Sequence, residues 1–157
     1  MARVRALYTA AEKRAPIHRQ PAVQVRSGCG IVGDRHYRRG NAPEQQITLI
    51  EWEQLRAFAE RHGAPVDPAT LRRNVLTEGL ALNDLPGRRF QVGDVLLRGV
   101  ELCEPCTVVG HLLARPGLAP REVIRSLLGR GGLRAEILGT GVIREGDHID
   151  TDPEPRP

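Results

Sequence analysis

At 157 residues, 40% of them hydrophobic, the chain is long enough to bury a single core without disulfide or metal staples. Net charge is +4, and of 23 basic residues all but Lys13 are arginine, which rules out a P-loop lysine and leaves Lys13 alone for any Schiff base. Aromatic residues are 3% of the chain, too few for a base-stacking platform, so nucleic acid is not an expected partner; no apolar run spans a bilayer, and three cysteines without a secretory leader predict reduced thiols in a cytoplasmic protein.

In chain order, residues 3–9 alternate, with Val4, Ala6 and Tyr8 on one face, and predict a strand. Residues 12–20 are polar, hold Pro16 and predict a loop; residues 22–26 form a second short strand. The turn-rich run 27–34 leads into a basic loop over 35–40. Residues 46–50 are a strand feeding a helix over 51–62, where Trp52, Leu55, Phe58 and Ala59 make an apolar stripe and Gly63 supplies the stop. Asp67-Pro68 pairs an N-cap with a proline at the first helical position, the start of another short helix. The chain extends again over 74–77.

From Phe90 the pattern is strand, turn at Gly93-Asp94, strand through Val100, and then a helix over 107–114 that Pro116-Gly117 breaks. A cleaner helix over 120–128 turns Val123, Ile124, Leu127 and Leu128 inward. Residues 133–138 and 142–149 read as a closing hairpin, and 151–157 as a disordered tail after one domain over 1–150. Many short strands with few helices predict an α+β fold, a mixed β-barrel with a few peripheral helices. No Gly-x-Gly-x-x-Gly follows a strand, so a dinucleotide-binding fold has no support.

Cys103 and Cys106 lie between a strand and a helix, where the positive end of the helix dipole favours a thiolate. Four readings fit the pair. A structural zinc site needs four ligands, and Cys29 and His36 offer no second close pair. A redox dithiol has the right local context but lacks the alternating strand–helix pattern around it. Two buried structural cysteines are the plain reading. The fourth is a thiolate that holds a soft metal or carries sulfur.

Elsewhere, Arg72 and Asn74 share a face if the backbone is extended there, which would suit a phosphate or a polar heterocycle; two adjacent arginines are more usually a solvated edge. In the turn Gly33-Asp34-Arg35-His36, His36 can act as a base, although a loop histidine is more often simply solvated.

Taken in register, seven segments resemble the MOSC domain, the module similar to the C-terminal part of molybdenum cofactor sulfurase. They are Gly30-Ile31-Val32-Gly33-Asp34-Arg35-His36, Gln45-Gln46-Ile47-Thr48-Leu49-Ile50, Leu71-Arg72-Arg73-Asn74 with Gly79, and Val92-Gly93-Asp94. Leu102-Cys103-Glu104-Pro105-Cys106, Gly129-Arg130-Gly131-Gly132-Leu133-Arg134-Ala135 and Ile143-Arg144-Glu145-Gly146-Asp147 complete the series.

The resemblance implies a mixed β-barrel that binds molybdenum through molybdopterin. Cys106 falls at the position of the metal-ligating cysteine, Arg72 and Asn74 at the pterin contacts, and Arg35 and His36 join the cofactor-binding set. It further implies reduction of N-hydroxylated or N-oxide small molecules with electrons from a separate electron-transfer protein. The alternative is a sulfur carrier that takes persulfide sulfur onto Cys106 from a donor protein and hands it to a metal or cofactor. The chain has room for neither the extra N-terminal barrel of the amidoxime-reducing members nor the desulfurase domain of the sulfurases. A short stand-alone member without covalently bound pyridoxal phosphate is therefore expected.

Overall fold

The computed structural model describes residues 1–153; of the tail expected over 151–157, residues 154–157 lie outside that range. Strands β1 (Arg3–Thr9), β2 (His18–Gln20), β3 (Ala22–Arg26) and β4 (Gly30–Ile31) precede β5 (Ile47–Glu51) and helix α1 (Trp52–His62). A 3₁₀ turn over Pro68–Leu71 leads to β6 (Val75–Glu78), then β7 (Arg89–Val92) and β8 (Val95–Leu102). Helices α2 (Thr107–Leu113) and α3 (Pro120–Leu127) follow, and β9 (Leu133–Ile137), β10 (Gly141–Arg144) and β11 (Ile149–Asp150) close the chain. Eight strands form one sheet in the order β11-β7-β8-β9-β5-β6-β1-β2, and β10-β3-β4 form a second. The fold is α+β, a curled sheet with three helices. Among the described residues no helix is long and apolar enough to cross a membrane.

The large sheet buries both faces. One packs against the small sheet, with Leu7, Leu49, Val75, Phe90, Leu97 and Leu133 meeting Val23, Val25, Ile31 and Ile143. The other carries the helices, so Ala6, Tyr8, Ile50 and Leu76 meet Leu55, Phe58, Val109, Val123 and Leu127. Strands buried on two faces read as apolar runs rather than clean alternation.

Four expectations change. Val4, Ala6 and Tyr8 do not share a face: the β1–β6 register shifts between Val4 and Ala6, and this bulge puts Val4 in the first core and the other two in the second. The bulge also lets the start of β1 bond the far end of the sheet. Val4 N–H donates to Asp147 O at 2.8 Å and Gly146 N–H to Val4 O at 2.8 Å, which draws the two ends together. The expected loop over 12–20 contains β2, which pairs with the end of β1. The expected closing hairpin does not form, because β9 pairs with β5 and β8 while β10 pairs with β3 in the other sheet. On α3 only Val123 and Leu127 are buried; Leu128 ends the helix and is 56% exposed.

Glu51 closes β5 and sits at the N-cap of α1. Burial pushes its carboxyl up to about 7, the Glu53 and Asp84 charges add to the rise, and the Leu82 N–H works against it. A folded-state value above the ordinary 4.5 means the native chain holds a proton that the unfolded chain has released. Stability from this group is therefore complete below about pH 4.5 and is lost as pH rises to about 7. Glu51→Gln should flatten that fall and gain roughly 1–2 kcal/mol over wild type above neutrality, discounted for partial exposure. Denaturant melts across this pH range check it; parallel curves for the two proteins would contradict it.

Candidate functional site

The thiol turn follows β8. Cys103 N–H donates to Gly132 O at 2.8 Å, which prolongs the β8–β9 pairing, and Cys103 is 1% exposed. Burial pushes its thiol up, and the positive charges of Arg73 and Arg134 pull it part of the way back. Cys106 differs in exposure and in backbone setting. It is exposed, occupies the N-cap of α2 in extended conformation, and accepts Gly110 N–H at its carbonyl at 3.0 Å. A C-x-x-C at a strand end thus turns one thiol in and the other out. The turn lies flat on two glycines: a Cβ on Gly131 would overlap Cys103 O, and one on Gly132 would overlap Leu49 O.

A cluster of arginines borders this turn. Asp34 is buried; its Oδ1 accepts Ala10 N–H at 3.1 Å and Arg35 Nη1 at 3.0 Å, and its Oδ2 accepts His36 N–H at 3.3 Å. Burial alone would raise its carboxyl, but His36, the Ala10 N–H and the Arg35 charge together hold it below the usual carboxylate range. Arg35 donates through Nη2 to Arg72 O at 3.1 Å. Burial and the neighbouring charges of Arg72 and Arg73 lower its guanidinium, with Asp34 opposing. Arg35 thus lies near two further guanidiniums.

Arg72 closes the Pro68–Leu71 turn in the left-handed region at φ +58°, so the extended geometry that would align it with Asn74 does not occur. Its Nη1 donates to Ala15 O at 2.8 Å, and its Nη2 is buried with no partner. Arg73 turns the other way and donates through Nε to Gly131 O at 3.1 Å, beneath the thiol turn. A buried donor without a protein partner, with other arginines nearby, has the chemistry to hold an anionic group.

Asn74 is 3% exposed and its side chain is engaged on two strands. Oδ1 accepts Thr48 N–H at 3.1 Å and the Thr48 hydroxyl at 3.2 Å, and Nδ2 donates to Tyr8 O at 3.2 Å. It also lines a cavity of about 220 Å³ with His36, Gln45, Ile47, Thr48 and Arg134. The sequence reading passed over Thr48 and Arg134. Thr48 is the one polar residue within the apolar run 47–50, a signal the sequence carries; Arg134 alternates with Glu136 on β9 and has no such signal. Among the described residues no three His, Cys, Asp or Glu side chains converge as metal ligands, so the structural-zinc reading has no ligand set. A cofactor that brings its own sulfur ligands needs only one thiol from the protein, and the residues present fit such a group: one outward thiol, a cationic cluster, and a free buried donor.

Fold and site together define a curled mixed-sheet domain with an exposed thiol on a turn that Arg73 braces from beneath. The MOSC domain profile matches residues 36–150, and the chain belongs to the MOSC domain family, which is associated with molybdenum-cofactor binding. The YUAD protein from Bacillus subtilis has a similar structure, with TM-score 0.82 at 24% identity over 94% of this chain and 93% of that one. YiiM from Geobacillus stearothermophilus follows at 0.74 and 18% identity, covering 98% of this chain and 76% of its own. YiiM from Escherichia coli gives 0.65 at 15%, covering 96% and 70%. At these identities the likeness is one of fold. No curated protein matches the sequence.

Proposed function

We propose that this domain binds the molybdenum cofactor, with Cys106 Sγ as the protein's ligand to the metal and Arg35, Arg72 and Arg73 facing the cofactor's anionic groups. The observation that carries the reading is the buried Nη2 of Arg72, without a protein partner, on a residue whose carbonyl accepts Arg35 and whose neighbour Arg73 reaches under the thiol turn. An anion there would satisfy the donor. When bound, the cofactor supplies a two-electron redox centre. The chain's own residues anchor it, orient it and set its surroundings. Cys106 stands clear of the core and is accessible to a bulky ligand, while Asn74 holds β5, β6 and β1 in register beside the cavity. His36, half exposed at that cavity with Nδ1 3.6 Å from Asp34 Oδ2, can take up or release a proton near a substrate.

The reaction proposed is reduction of N-hydroxylated or N-oxide small molecules, with electrons from a separate protein. Cofactor-loaded protein and a reduced artificial donor should turn over an amidoxime or a hydroxylated purine. Turnover lost in His36→Gln but retained for molybdenum content would support the proton role. No turnover across a broad panel would contradict the reductase reading.

One observation favours a second reading: the exposed Cys106 thiol makes no side-chain cap and is open to another protein. A sulfur carrier would use that same exposure to accept and pass on persulfide sulfur. Mass spectrometry of Cys106-containing peptides from protein taken from cells separates the two, since one added sulfur atom on Cys106 marks the carrier.

A further inference from the structure

A second concavity, about 880 Å³, opens over β1 and β2 and shares no lining residue with the cavity at His36 and Asn74. It gathers side chains that this chain uses sparingly. The chain has one tryptophan and two tyrosines, and Trp52 and Tyr8 both line this cleft, with Arg3, Arg5 and Arg19 around them. The Arg5 guanidinium lies 4.2 Å from the centre of the Trp52 ring, which fixes both against the wall. Arg3 and Arg5 share the single carboxylate of Glu78, so that trio keeps one positive charge. Arg19 is oriented by Glu145 at 2.7 Å.

We propose that this cleft binds a nucleoside monophosphate, its base against the Trp52–Arg5 stack and Tyr8 and its phosphate on the arginine rim. Planar rings and guanidiniums together recognise a flat heterocycle that carries an anion. The volume falls within the range of about 300–1,000 Å³ usual for small-molecule sites and is far larger than a bare phosphate needs. With Glu78, the carboxylates of Asp67 and Glu145 that line the cleft balance its three arginines, so it suits a ligand with one anionic group held by guanidinium hydrogen bonds rather than a long polyanion such as RNA held by net charge. The site is independent of the molybdenum reading.

Trp52 is the only tryptophan, so its emission reports on this cleft alone. Full-length protein titrated with GMP, AMP or UMP should give a saturable change for at least one nucleotide. Guanosine and inorganic phosphate should each bind at least about tenfold more weakly than GMP, because each keeps half of the recognition. Arg19→Ala, which touches neither Trp52 nor the thiol turn, should weaken nucleotide binding by about tenfold while its circular dichroism and molybdenum content match wild type. Neither an emission change nor heat in calorimetry at millimolar nucleotide would overturn the proposal. So would phosphate binding as tightly as GMP, or an unaltered affinity in Arg19→Ala.

Discussion

Gly132→Ala should unfold the domain or cost more than about 3 kcal/mol, whereas Gly40→Ala should cost about 1 kcal/mol. Both positions have positive φ, +110° at Gly132 and +59° at Gly40, so both substitutions bear backbone strain. The difference lies in what surrounds them. A Cβ at Gly40 meets nothing within 4 Å, while one at Gly132 would run into the Leu49 carbonyl on β5. Gly132 cannot shift away cheaply, because its own carbonyl accepts Cys103 N–H at 2.8 Å. Moving it would disturb β5 and the thiol turn together, and close-packed interiors resist such movement. Thermal melts followed by circular dichroism distinguish the two variants. Equal, small losses would show that β5 and the turn do not approach as closely as described.

Asn74→Ala should destabilise the protein lacking cofactor by about 3–4 kcal/mol, a large share of a typical domain's stability. The substitution leaves the Thr48 N–H without the Asn74 acceptor and the Tyr8 carbonyl without its donor, on two strands that flank β6. Buried groups stripped of partners cost more than an exposed hydrogen bond contributes. Asn74→Asp should be damaging as well, since it retains an acceptor for Thr48 but sets a carboxylate oxygen against the Tyr8 carbonyl. Denaturant unfolding without cofactor is the relevant measurement. A wild-type midpoint for Asn74→Ala would mean that the residue does not brace the sheet and matters only when a ligand is bound.

The parts of the fold that local pattern controls were legible in the sequence. The helix at Trp52–His62 announces itself by its stripe and by Gly63, which indeed caps it in the left-handed region with its N–H on Ala59 O. Asp67-Pro68 likewise starts a short turn, with the Asp67 carboxylate accepting Ala69 N–H. Strand partners were not legible. β10 reads as the return arm of a hairpin, yet its partner β3 lies more than a hundred residues earlier, and nothing in its own alternation says so. The bulge in β1 is of the same kind, since one inserted residue changes which face is buried without changing composition.

The candidate site divides along the same line. Cys103 and Cys106 stood out as two thiols three residues apart between a strand and a helix, and the resemblance singled out Cys106; that Cys106 faces out while Cys103 is buried follows only from the fold. The use of Asn74 depends on Thr48 and Tyr8, 26 and 66 residues away, and only the folded chain brings them to it. Arg72 illustrates the opposite case: its neighbourhood was anticipated, but its left-handed backbone and orphaned Nη2 follow from the turn that precedes it.

Molybdenum content is the most direct test of the account. Wild type, Cys103→Ala and Cys106→Ala should be loaded with cofactor in parallel, freed of excess, and their metal measured against protein. Cys103 is packed and Cys106 is exposed, so the two thiols should not be equivalent. Near-stoichiometric molybdenum in wild type, most of it kept in Cys103→Ala and nearly all lost in Cys106→Ala, is the predicted result. Equal retention in wild type and Cys106→Ala would contradict ligation by this thiol.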